Sequence, residues 1–145
     1  MNRVRALLSA CVLAACFEAS AATCSVSAAG LAFGTYDVTT STPLDVTGTV
    51  EFRCNEPSAV KIQFSPGSAG TFWPRTMRNG TATLDYNIYT NGSRTQVWGD
   101  GTNGTVTRNL GAGRGEPVAV FGRIPPLQNV PEGAYGDTLI VTFNF

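Results

Sequence analysis

A period of two in the apolar residues governs what this chain can fold into. From Asp45 to Cys54, the residues Val46, Val50, Phe52 and Cys54 fall on one side, and Thr47, Thr49, Glu51 and Arg53 on the other. Successive side chains of an extended backbone point to opposite faces, so this pattern predicts a strand with one face in a core and one in water. After Asn55-Glu56-Pro57 the alternation resumes, with Val60, Ile62 and Phe64 inward and Lys61, Gln63 and Ser65 outward, and the two segments are predicted to form a hairpin. Pro66 to Gly70 interrupts the chain, and Leu84, Tyr86 and Ile88 then alternate with Asp85, Asn87 and Tyr89 in a third strand. Shorter strand candidates are Ser25 to Ala28, Leu31 to Thr35, Thr95 to Trp98, Val106 to Leu110 and Val118 to Ile124. No stretch of ten residues combines helical spacing with a cap, so little helix is expected.

Turn chemistry agrees with the strands. Asn79-Gly80, Asn91-Gly92 and Asn103-Gly104 are pairs of the kind that occupy left-handed positions in tight hairpin turns. Each also begins an Asn-x-Ser/Thr sequon, completed by Thr81, Ser93 and Thr105; the turn reading is preferred, because the backbone itself explains the pair. Short strands separated by such turns predict an all-β, antiparallel sandwich.

Charge removes several functions. Ten basic residues balance ten acidic ones, charged residues make up 14% of the chain, and histidine is absent. Such a chain lacks the basic face that a phosphate backbone requires, so no nucleic-acid partner is expected. Without histidine there is no Ser-His-Asp or Cys-His nucleophile and no imidazole ligand for zinc. Carboxylates could be paired on paper from Glu51, Asp85, Asp100, Glu116, Glu132 and Asp137, but no motif sets two of them on facing strands, so no enzymatic activity is expected. Asp100-Gly101-Thr102-Asn103 carries too few carboxylates for a calcium cage. No metal or cofactor is expected.

The first 21 residues read as a secretory signal peptide: Arg3 and Arg5, an apolar run from Ala6 to Cys16, then the small residues Ala19-Ser20-Ala21. That leaves one domain over residues 22–145. Neither the apolar run nor any later one reaches the roughly 20 residues of a membrane-spanning helix, so no transmembrane segment is expected. Leu13-Ala14-Ala15-Cys16 also resembles a lipobox, which keeps a lipid anchor through Cys16 as the alternative. Cleavage after Ala21 would leave Cys24 and Cys54, an even pair in an oxidising compartment that is expected to be bonded.

At its end, from Asp137 to Phe145, the chain alternates Leu139, Val141, Phe143 and Phe145 against Ile140, Thr142 and Asn144. A strand this apolar is normally covered. Either it lies between earlier strands, or its edge is open for another polypeptide to complete by strand addition.

Together, Cys24-Ser25-Val26-Ser27, Leu31 to Tyr36, the strand ending in Cys54, Tyr86 to Thr90, Trp98-Gly99-Asp100-Gly101 and the closing Gly133 to Phe145 resemble the spore coat protein U family, which includes subunits of archaic, Csu-type chaperone-usher pili. The resemblance implies an immunoglobulin-like antiparallel sandwich lacking its last strand. It also implies a periplasmic chaperone and an outer-membrane usher as partners, and a donor strand from a neighbouring pilus subunit. Leu139, Val141, Phe143 and Phe145 are then the positions lining the acceptor groove. The expected role is that of a non-enzymatic structural or adhesive subunit exported through the periplasm to the cell surface, acting in surface attachment and biofilm formation.

Pilus subunits of this family carry a donor segment ahead of the first cysteine, whereas only Ala22 and Thr23 separate the expected cleavage site from Cys24, so a tip position is expected. Phe72, Trp73 and Trp98 are the candidate adhesive loop residues, with burial at the ends of the core as the alternative for each. Two other readings stay open: a non-polymerised secreted or spore-coat-like surface protein, and a carbohydrate-binding secreted domain.

Overall fold

The computed structural model describes residues 21–28 and 30–145, and the expected signal peptide up to Ser20 and the lipobox at Cys16 lie outside the described residues. Eight strands build the fold: β1 Cys24–Ala28, β2 Leu44–Cys54, β3 Ser58–Phe64, β4 Arg75–Asn79, β5 Ala82–Tyr89, β6 Arg108–Gly113, β7 Pro117–Ile124 and β8 Val141–Asn144. They form a five-stranded sheet of order β1-β2-β7-β5-β4 and a three-stranded sheet of order β6-β3-β8, and every strand pairing is antiparallel. A single 3-10 turn, Gly67–Ala69, is the only helical element among the described residues. The expected all-β sandwich is what the structure shows.

The period of two becomes the core. In β2 the residues Val50, Phe52 and Cys54 are buried; in β3, Val60, Ile62 and Phe64; in β7, Val118, Val120 and Ile124. Leu84, Tyr86 and Ile88 of β5 join them, and residues from both sheets interlock as one cluster. Burying the apolar side chains of facing strands is the main favourable contribution to a sandwich of this kind.

The predicted hairpin between β2 and β3 is corrected. β1 and β7 occupy the two edges of β2, so the chain at Asn55-Glu56-Pro57 crosses to the other sheet, where β3 pairs with β6 and β8. The turn is held by Cys54 N–H donating to Arg114 O and Asn55 N–H to Thr23 O. Inward alternation is the same for a hairpin and for an arch between facing sheets, so the pattern alone did not separate them. Cys24 and Cys54 stand opposite each other in the β1–β2 pair and form the expected disulfide.

The Asn-Gly pairs diverge in use. Asn103 and Gly104 both adopt left-handed φ (51° and 77°) inside a turn closed by Thr105 N–H to Thr102 O, as expected. At Asn79-Gly80 the asparagine ends β4 and Gly80 (φ 58°) with Thr81 forms the two-residue loop. At Asn91-Gly92 neither residue is left-handed; Arg94 is (φ 54°), while the Asn91 side chain accepts from the backbone of Thr95 and Gln96. Two strand candidates are also revised. Leu31 to Thr35 forms no ladder, and Thr95 to Trp98 contributes only isolated bridges, Val97 to Tyr89 and Trp98 to Val106.

Candidate strand-acceptor groove

β8 is an edge strand. Lys61 to Phe64 of β3 pairs with Asn144 to Val141 along one side of it, and no strand among the described residues lies on the other. The chain reaches β8 from the opposite sheet: Gly136 exchanges both backbone hydrogen bonds with Arg78 at the free edge of β4, and Ile140 O then accepts from Ser65 N–H. Next to this crossing, a cavity of about 1010 Å³ opens between the sheets. Leu84, Ile88, Val120 and Ile124 contribute to its floor; residues 30–38 form one wall, and residues 130–137 with Leu139 and Val141 the other.

The expected groove residues divide within this geometry. Leu139 and Val141 are half-buried and line the cavity. Phe143 is half-buried too, but packs into the core with its ring 6.2 Å from that of Phe52. Phe145 lies beyond the end of β8 and is 59% exposed, like Ile140 on the outer side. Lining residues that sequence reasoning did not assign include Phe33 and Tyr36 on the first wall and Tyr135 on the second. Phe33 lay in the Leu31 to Thr35 strand candidate, but nothing in that alternation placed it beside a groove, and no periodicity marked Tyr36 or Tyr135.

A polar clamp fixes the end of the groove. The Tyr86 hydroxyl donates to Asp137 Oδ2 at 2.7 Å, while Asp137 Oδ1 accepts from the backbone N–H groups of Ser68 and Thr138, each at 2.9 Å. Burial pushes the Asp137 carboxyl upward, but the Ser68 N–H and the Tyr86 hydroxyl outweigh it and hold the group below the usual carboxylate range. Burial, and then Asp137 itself, raise the Tyr86 phenol above its ordinary value, so it stays a donor. Gly67 is left-handed (φ 75°), and a Cβ there would collide with the Asp137 carboxylate.

The three candidate adhesive aromatics also separate. Trp98 is fully buried, donates Nε1–H to Ile62 O at 3.0 Å, and meets Phe64 edge to face at 4.9 Å. Phe72 is buried beneath the guanidinium of Arg75, 4.9 Å from the ring centre. These two rings are core residues, the burial reading weighed for each of them, and they offer no exposed loop contact. Trp73 alone of the three is open to solvent, 53% exposed, with its Nε1–H donated to Asn103 O at 2.7 Å.

Arg75 anchors this end of the sandwich from inside. It is fully buried and donates to Ser65 O through Nε and Nη2, to Trp98 O through Nη2, and to Asn87 Oδ1 through Nη1. Burial lowers its pKa to about 10, and it remains a cation at neutral pH. Among the described residues no group of three or more His, Cys, Asp or Glu side chains is gathered to hold a metal. No helix there is long and apolar enough to cross a membrane.

A Spore Coat Protein U domain model matches residues 9–142. Protein U of Myxococcus xanthus is 38% identical over 128 residues, covering 79% of this chain and 71% of that protein. Among solved structures, the chaperone–tip adhesion subunit pre-assembly complex CsuC-CsuE, from the archaic chaperone-usher Csu pili of Acinetobacter baumannii, matches with a TM-score of 0.64 at 20% identity. That match covers 86% of this chain but 40% of the other, and it is a likeness of fold. The extent of the domain match together with the identity to Protein U shows that this chain belongs to the Spore Coat Protein U domain family.

Proposed function

We propose that this protein is a strand-accepting, non-enzymatic subunit of a chaperone-usher type surface structure. The observation that carries the reading is the open edge of β8 beside an apolar cavity between the sheets. An extended segment laid along that edge gains backbone hydrogen bonds, and its alternate side chains enter the cavity. Leu139, Val141 and Phe143 form the inward row that such a segment would lie beside, and Phe145 extends the row past β8. The occupant would be a strand of a periplasmic chaperone during export through an usher, and then a donor strand of a neighbouring subunit. A fold shared with a chaperone-bound pilus subunit supports this order of events.

Export through the periplasm to the cell surface fits the Cys24–Cys54 disulfide, which forms in oxidising compartments. Attachment to surfaces, at a pilus tip and in biofilms, is the finer reading, and Trp73 is the residue proposed for it, because its ring is open to solvent on a loop held from below. The competing assignment is a surface coat protein that is not polymerised, favoured by the relationship to Protein U.

To test strand acceptance, the purified chain is incubated with synthetic donor-strand peptides from chaperone-usher pilus subunits, and capture is followed by size-exclusion chromatography and mass spectrometry. Stoichiometric capture by the wild type and its loss in Val141→Asp are expected. A stable monomer that captures none of the peptides favours the coat-protein assignment.

A further inference from the structure

The inward row of β2 reads Leu44, Val46, Gly48, Val50, Phe52, and that of β7 reads Val118, Val120, Gly122, Ile124. Two glycines thus interrupt rows otherwise filled with apolar side chains. They lie close together on one sheet, since Gly48 pairs with Val120 and Val46 with Gly122. Glycine inside a strand gives up packing and backbone entropy, so it needs a reason. Left-handed backbone is not the reason, because neither residue has a positive φ.

The reason is contact with the segment before β2. A Cβ on Gly48 would lie 2.8 Å from Leu31 Cδ1; one on Gly122 would lie 2.5 Å from Leu31 Cδ2 and 2.8 Å from Phe33 Cζ. Leu31 and Phe33 therefore sit in a hollow that exists only because two side chains are missing. The segment has no strand ladder to hold it. Its other fixings are side-chain contacts: Phe33 edge-on to Tyr86 at 5.8 Å, and the Tyr36 hydroxyl, which donates to Pro125 O and accepts from Gln128 N–H.

This segment is the groove wall that faces Leu139 and Val141. We infer that Gly48 and Gly122 are positioning residues that seat Leu31 and Phe33 and thereby set the width of the slot offered to an incoming apolar strand. The inference rests on the strand-acceptor reading for its functional meaning, while the seat itself is a property of this chain alone.

The test uses the full chain and a double-mutant cycle, read as the rate of chymotrypsin cleavage at Phe33 and Tyr36 in the folded protein. Gly48→Ala displaces the end of the Leu31 side chain and Leu31→Ala empties the hollow, so each single change is expected to speed cleavage there, by up to about ten-fold. In the double variant the new methyl group occupies the space that Leu31 has left, and cleavage returns to within about three-fold of wild type. Leu31→Ala does not rescue Gly122→Ala, because Phe33 still collides with the added Cβ. Additive effects of Gly48→Ala and Leu31→Ala, or unchanged cleavage in both, overturn the inference. If Gly48→Ala fails to fold, Leu31→Ala alone decides: faster cleavage at Phe33 supports the seat, and unchanged cleavage overturns it. Capture of donor peptides is measured on the same variants. A wild type that captures none while the cleavage cycle holds defeats the acceptor reading and leaves the seat standing; normal capture with an additive cycle does the reverse.

Discussion

Replacing the two tryptophans one at a time should have opposite consequences, although both stand beside loops at the same end of the sandwich. Trp98 is fully enclosed. Trp98→Ala removes a core side chain of the largest kind, a loss of about 3–5 kcal/mol. The lost edge-to-face contact with Phe64 accounts for about 0.5–1.5 kcal/mol of it. Domains of this size are stable by about 5–15 kcal/mol, so Trp98→Ala uses up much or all of that margin, and Trp98→Phe is the measurable variant. Phenylalanine keeps most of the apolar volume but leaves Ile62 O without the indole donor, for an expected loss of about 1–3 kcal/mol. Trp73→Ala gives up one hydrogen bond at an exposed site, so its expected cost is about 1 kcal/mol or less. Urea unfolding supplies the free energies, and tryptophan emission is an internal check, since each single variant retains one indole. The chain that keeps Trp98 should emit at shorter wavelength and resist acrylamide; the chain that keeps Trp73 should be readily quenched. Equal quenching, or a larger stability loss for Trp73→Ala than for Trp98→Phe, would refute the division of these rings into core and surface.

Other outcomes follow from the same structure. Replacing both cysteines, Cys24→Ser with Cys54→Ser, opens a link between residues 30 positions apart and should lower stability by about 3–4 kcal/mol relative to the oxidised wild type, read from urea unfolding under non-reducing conditions. Asp137→Asn should cost about 1–3 kcal/mol at pH 7, where the carboxylate accepts from Tyr86, Ser68 and Thr138. The folded-state pKa of Asp137 is depressed, so its contribution is complete above the unfolded value near 3.9 and is lost as pH falls through the lower folded value. The wild-type and variant stability curves should therefore converge in acid, and a constant gap down to pH 2 would contradict the clamp.

Much of the fold was legible because burial imposes a period of two. β2, β3, β5 and β7 and the inward row of Leu139, Val141 and Phe143 could be read from alternation, and the disulfide from the pairing of two cysteines. Sheet membership could not, because Phe52 and Ile62 point into one core whether their strands are neighbours or face each other. β4 escaped notice since its first inward residue is Arg75, whose charge disguises a core position until the Ser65, Trp98 and Asn87 acceptors are in place. Leu31 to Thr35 showed true alternation, half-buried at Leu31 and Phe33, yet its backbone makes no ladder; side-chain pattern reports which residues face the core, not which amides are paired. Phe72 and Trp98 were placed among candidate loop contacts because composition cannot tell a ring that caps a core from one that projects. In the groove, the row on β8 was readable, whereas the opposite wall depends on two glycines whose role is visible only beside Leu31.

The central claim is that the free edge of β8 accepts a strand, and amide hydrogen exchange at Val141–Asn144 tests it most directly. Exchange is measured on the full chain with and without a captured donor-strand peptide. The amides of β8 that point away from β3 have no strand partner among the described residues, so the account predicts that the peptide slows their exchange by about a hundred-fold or more, with the amides paired to β3 changing less. Peptide binding that leaves those outward amides exchanging at the free-chain rate would contradict it.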